Sequence, residues 1–160
     1  MTFHLAQLNI GRLVAPLDDP RLADFYNNLP VINAIADAAP GFVWRLAGDD
    51  GRDATEFKPF GDDVQVNLSV WESVETLREF MYKTAHLDFM RRRREWIVPF
   101  GDVYAVNWWI PAGHRPSLEE AGERLELLRA NGSSPEAFSL RDPHPRPTVK
   151  VGTLGGCPPN

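Results

Sequence analysis

The chain has 160 residues, of which 43% are hydrophobic and 24% charged, and its formal net charge is −5; these proportions suit one globular domain with a real core. The acidic balance argues against nucleic acid, which needs a basic face, and without a run of about 18 apolar residues no membrane span is expected. Met1-Thr2-Phe3-His4 lacks the basic and apolar regions of a signal peptide, so a cytoplasmic location is expected, and the single cysteine, Cys157, offers neither an intrachain disulfide nor a thiolate metal cluster.

Residues 4–10 alternate, with Ala6, Leu8 and Ile10 on one face and Gln7 and Asn9 on the other, which predicts a first strand. Asp18-Asp19-Pro20 is a helix start, with Asp19 as cap and Pro20 in the first helical position. Leu22, Phe25, Leu29, Ile32 and Ile35 follow as a buried helical stripe. Pro30 is expected to kink or split this helix near Asn28-Leu29, and Ala39-Pro40-Gly41 to end it. Residues 42–46 read as a second strand. Residues 48–62 read as a long, solvated polar loop, of a length that suits a partial lid. Its acidic residues do not have the spacing of a calcium loop.

The third strand is the clearest element. Val64, Val66, Leu68 and Val70 point one way, and Gln65, Asn67, Ser69 and Trp71 the other. Ser73 is a helix cap. The helix it opens, running towards Ile97, carries two stripes: one holds Leu77, Phe80, Thr84, Leu87 and Arg91, the other Tyr82, His86, Phe89, Arg93 and Trp96. Two stripes imply a break near Lys83-Thr84-Ala85 or packing against two partners. Residues 103–110 form a fourth strand, with Tyr104, Val106, Trp108 and Ile110 on one face and Ala105, Asn107 and Trp109 on the other. Ser117-Leu118-Glu119-Glu120 is a capping box for an amphipathic helix of Leu118, Ala121, Leu125 and Leu128, which stops at Asn131-Gly132. From Arg141 onward, Pro143, Pro145, Pro147, Pro158 and Pro159 predict an extended or disordered tail, so a domain over 1–140 is followed by a Pro/Gly-rich tail over 141–160.

Two strand-helix-strand units and a final helix make an α+β fold, the ferredoxin-like βαββαβ sandwich with an added C-terminal helix. If the crossover helices cover the apolar sheet face, the face of Gln7, Asn9, Gln65, Asn67, Trp71 and Trp109 is left bare. Uncharged amides and indoles suit an enclosed surface rather than water. A second copy of the chain is the simplest cover, so a homodimer is expected.

The segments Leu5-Ala6-Gln7-Leu8-Asn9-Ile10-Gly11-Arg12, Pro40-Gly41-Phe42-Val43-Trp44-Arg45, Asn67-Leu68-Ser69-Val70-Trp71-Glu72-Ser73, Ala85-His86 with Arg91-Arg92-Arg93-Arg94-Glu95-Trp96, and Trp108-Trp109-Ile110-Pro111-Ala112-Gly113-His114 together resemble a bacterial family, domain of unknown function 3291. That family is similar to the wider dimeric α/β-barrel superfamily, which includes antibiotic-biosynthesis monooxygenases, polyketide cyclases and haem proteins. The resemblance implies paired sheets in a dimer, ligands between sheet and helices or inside the barrel, and a functional histidine in or near the second helix.

Imidazole exchanges a proton near neutral pH and can ligate iron, which makes His86 the leading candidate for catalysis. Asn67 is the second catalytic candidate, as a donor to a developing enolate; Gln7, Asn9 and Gln65 flank it. Trp44, Trp71 and Trp109 would form apolar walls, and Tyr82 and Phe89 would line the helical side. Arg93 or Arg91 would reach an anionic group. The alternative for the amides is a polar ladder across a dimer seam, and for the tryptophans ordinary packing. Three readings stay open. The first is a cofactor-independent monooxygenase or cyclase acting on an aromatic or polyketide-like substrate with His86 as general base. The second is a haem protein with His86 as axial ligand. The third is a non-catalytic small-molecule-binding or stress-related dimer. No metal is expected other than haem iron in the second reading.

Overall fold

A computed structural model describes residues 2–148; the expectations for Cys157, Pro158 and Pro159 lie outside the described residues. Strand β1 (Phe3–Leu13) runs through the middle of the sheet. It pairs antiparallel with β3 (Val64–Trp71) on one side and β5 (Ala105–Pro111) on the other. β2 (Phe42–Arg45) pairs with β3, and the two-residue β4 (Ile97–Val98) pairs with Arg12 and Leu13 at the end of β1. Helix α1 (Ala23–Asp37) joins β1 to β2. Three short helices, α2 (Val74–Met81), α3 (Thr84–Arg91) and α4 (Arg93–Trp96), join β3 to β4. The spatial order β2-β3-β1-β5 is that of the ferredoxin-like α+β sandwich, and α5 (Leu118–Asn131) is the added C-terminal helix.

The register sets Asn9 opposite Asn67 and Gln7 between Ser69 and Asn107. Opposed residues share a face, so the amides gather on one side. On the other side Ala6, Leu8, Leu68, Val70, Val106 and Trp108 form an aliphatic plateau.

The layering differs from the expectation. The plateau packs not under the crossover helices but against Ala121, Leu125 and Leu128 of α5 and against Ala54, Phe57 and Phe60 of the 46–62 loop. The amide face turns under α1–α4. There Leu5 and Trp71 pack against Ala36, Ala39, Leu77 and Phe80 at one end. Leu13, Leu22, Phe25 and Trp96 close the other end. The leucine stripe of α5 matches a continuous apolar surface on that face. Both faces are therefore covered within one chain, and no second copy is needed as a roof. The 46–62 loop is not simply solvated either, because its aromatics help cover the plateau.

Helix α1 does not split at Pro30 but runs unbroken from Ala23 to Asp37. The Asn28 side-chain amide donates to the Asp24 carbonyl at 2.7 Å, and Phe25 and Ala36 anchor the turns on either side. The break expected near Lys83 is present, between α2 and α3. Ser73 and Thr76 form a reciprocal capping box that starts α2. The box at α5 is only half made. Ser117 Oγ accepts from the Glu120 amide at 3.1 Å, but the Glu120 carboxylate turns to Trp108 Nε1 at 3.0 Å and His114 Nε2 at 2.8 Å. The last long strand begins at Ala105 rather than 103, so Tyr104 escapes the alternation that had placed it on the apolar face.

Candidate functional site

A hollow of about 820 Å³ lies between the amide face of the sheet and the layer of α1–α4, within the size range of small-molecule sites. Its floor follows from strand alternation. Trp71 Nε1 donates to Ser69 Oγ at 3.0 Å, and Ser69 Oγ donates to Gln7 Oε1 at 3.3 Å. That chain of donors orients the Gln7 amide. Asn107 is 2% exposed; its Nδ2 donates to the Phe138 carbonyl at 3.3 Å, while its Oδ1 has no partner. Gln65 Nε2 is likewise buried without a partner. Unpaired buried polar atoms are costly. Both residues border the hollow, but these two atoms are themselves shut off from it, so they mark the polarity of the sheet beneath the floor and are not contacts for a guest.

His86 stands on the helical side, at the start of α3, its ring 4.6 Å from that of Phe80. Phe80 stacks on Trp71 at 5.0 Å, which ties the histidine to the sheet through two aromatic contacts. His86 Nδ1 lies 3.0 Å from the Met81 carbonyl oxygen. A carbonyl only accepts, so Nδ1 carries the hydrogen and Nε2 keeps the lone pair. Burial pushes the imidazole below its ordinary value, and the Met81 bond opposes this more weakly. The geometry therefore supplies a neutral imidazole with its tautomer fixed, the form a general base requires.

Asn67 borders the hollow from an exposed position, and Asn9 and Gln65 border it beside Gln7. Trp71, Tyr82, Phe89 and Arg93 also border it, although Tyr82 is 70% exposed and sits on the rim. Two expected wall residues lie elsewhere. A register shift between Phe42 and Trp44 sets Trp44 opposite Val70, so it packs against the aliphatic plateau and Phe42 takes its place beside Trp71. Trp109 is on the amide face but screened from the hollow. Phe138 packs on it at 6.4 Å, its Nε1 donates to the His144 carbonyl at 2.9 Å, and the Arg146 guanidinium lies 5.2 Å from its ring.

Other lining residues were not among the sequence candidates. Phe25, Leu29 and Ile32 belong to the α1 stripe, which reads as core because the same spacing serves both roles. Asn107 was on the amide face by alternation and only its burial distinguishes it. Arg45 and Asp53 close the β2 end. Arg45 Nε donates to Asp37 Oδ1 at 2.8 Å and its other nitrogens donate to the Gly51 and Arg52 carbonyls, which pins the loop to the sheet edge. Asp53 Oδ1 accepts from Thr55 Oγ1 at 2.6 Å.

The family is decided by sequence, since residues 4–153 match the family described as a domain of unknown function (DUF3291). The chain belongs to the DUF3291 family. None of the curated protein sequences matches this DUF3291 chain. Among solved structures it is similar to SnoaB, a cofactor-independent oxygenase from Streptomyces nogalater, at 18% identity and a TM-score of 0.46, covering 72% of this chain and 96% of that one. It is also similar to PA3566 from Pseudomonas aeruginosa, at 13% identity and a TM-score of 0.47, covering 73% of this chain and 98% of that one. A third is Rv0793 from Mycobacterium tuberculosis, at 12% identity and 0.46, covering 71% and 99% respectively. No helix among the described residues is long and apolar enough to cross a membrane, and those residues hold no cluster of metal-ligating side chains.

Proposed function

We propose that this DUF3291 chain is a cofactor-independent enzyme of the monooxygenase or cyclase type, acting on a largely apolar, oxygen-containing molecule in the hollow beside His86. The observation that carries the reading is the fixed tautomer of His86, with a lone pair at Nε2, on the wall of a hollow whose floor is lined by amide side chains. Nε2 would take a proton from an acidic C–H or O–H of the substrate. Gln7 and Asn9, with Asn67 at the rim, would donate to the enolate oxygen that results. Phe25, Ile32 and Phe89 would keep bulk water from the anion. In the oxygenase version, dioxygen is the oxidant: an activated CH2 and O2 give C=O and one water, and the substrate supplies the electrons. In the cyclase version the carbanion attacks a carbonyl of the same molecule.

Any pairing of two copies is proposed to use surfaces outside the sheet faces, because α5 already occupies the plateau across which sheets would meet.

Anthrone, a tricyclic ketone with an acidic methylene, is a suitable probe, since its oxidation to anthraquinone is read by absorbance. Wild type should accelerate it, and His86→Ala should lose about 100-fold or more in rate while its circular dichroism and melting stay close to wild type. Unchanged turnover in His86→Ala would remove the proposal.

A further inference from the structure

The sequence holds four consecutive arginines, and the structure gives them different surroundings. Arg91 pairs with Asp88 at 3.5 Å. Arg92 is held by Asp24 at 2.8 Å and Glu95 at 2.6 Å. Arg94 is exposed. Arg93, half-buried, borders the hollow. Its guanidinium lies 4.6 Å from the ring of Tyr104, and Nη2 reaches the Ile10 carbonyl only at 3.5 Å, the limit of a hydrogen bond. Among the described residues it has no carboxylate partner.

Most of the other charges around the hollow are engaged; Arg141, exposed, stands at its rim. Arg45 is neutralised by Asp37, and Arg78 donates to the Leu140 carbonyl. Asp53 accepts from Thr55 and lies 3.4 Å from Arg52. Asp102, at the mouth, faces Arg129 at 3.6 Å. Arg93 thus keeps most of its five-donor fork free beside an apolar wall, an arrangement suited to a carboxylate.

We infer that Arg93 binds a carboxylate on the substrate, so that the guest is an aromatic or polycyclic acid. The inference rests on the reading of the hollow as a small-molecule site.

The test measures binding and needs no turnover. 2-Naphthoate and its uncharged counterpart 2-naphthamide are titrated against the full chain, with tryptophan fluorescence as the readout. Wild type should prefer the carboxylate by about tenfold, a charge-assisted hydrogen bond's share of affinity. Arg93→Met should bind both probes equally, at the amide's affinity. Arg93→Lys should keep part of the preference, and Arg94→Met all of it. His86→Ala should discriminate as wild type does. Wild type that prefers the carboxylate yet does not turn over anthrone would retire the base reading and leave this inference standing. Equal affinities in wild type, a preference that survives Arg93→Met, or no binding of either probe would each overturn it.

Discussion

His86 makes a prediction about pH. Burial lowers its proton affinity in the folded chain from the ordinary value of 6.5, so the base form should dominate throughout the neutral range. The rate of proton abstraction should be flat there and fall on an acid limb below 6.5. The sign for stability is the same. Between the folded and unfolded values the unfolded chain binds the extra proton, so the contribution is complete above 6.5 and is lost as pH falls towards the folded value. Denaturant titrations of wild type and His86→Gln over this window check the point; a wild-type acid loss no larger than the variant's would contradict it. The residue type and its helical face could be read from the sequence. The Met81 carbonyl that fixes the tautomer could not, because that bond depends on how α2 ends. Arg93 was one of two arginines named for an anion, and only the fold distinguishes it from Arg91.

At the scale of elements, the junction of α1, β2 and α2 is tightly packed. Gly41 has φ +80°, and its carbonyl accepts from the Glu72 amide at 2.8 Å. A β-carbon there would overlap the Thr76 side chain that caps α2. Gly41→Ala should therefore cost more than about 1 kcal/mol, from backbone strain and a disturbed capping box together. Gly113 has φ +91° with open space around it. Gly113→Ala thus carries the strain alone, and thermal melts of the two variants separate the terms. An equal loss would show that Thr76 yields freely. Alternation gave the strands and their faces reliably, since a period of two has one geometric meaning. It failed at Trp44, where an irregular pairing shifts the register, and at Tyr104, just before the strand begins. Pro30 misled for another reason: tertiary anchoring on both sides outweighs one missing backbone bond.

For the whole molecule, the decisive fact is that a single sheet is covered on both sides by its own chain. Leu125, fully buried, sits where α5 meets the plateau. Leu125→Ala should destabilise the protein by about 2–5 kcal/mol, yet leave probe affinity in the surviving folded fraction unchanged, because the plateau and the hollow lie on opposite sides of the sheet. Loss of probe binding in step with loss of stability would mean that the two sides are coupled. The fold class was legible from the order of elements. Which helix covers which face was not, because either side of an alternating sheet can accept a helix and the choice depends on matching shapes across long sequence separations.

The central strand keeps two separate accounts along one ribbon. Two of its odd-numbered side chains, Gln7 and Asn9, line the hollow, while its even-numbered ones, Ala6, Leu8 and Ile10, hold the oily layer together. Neighbouring codons therefore answer to different selective pressures. A library that varies only Gln7 and Asn9 would test new guests with little penalty to folding, whereas one varying Ala6, Leu8 and Ile10 would mostly yield aggregates.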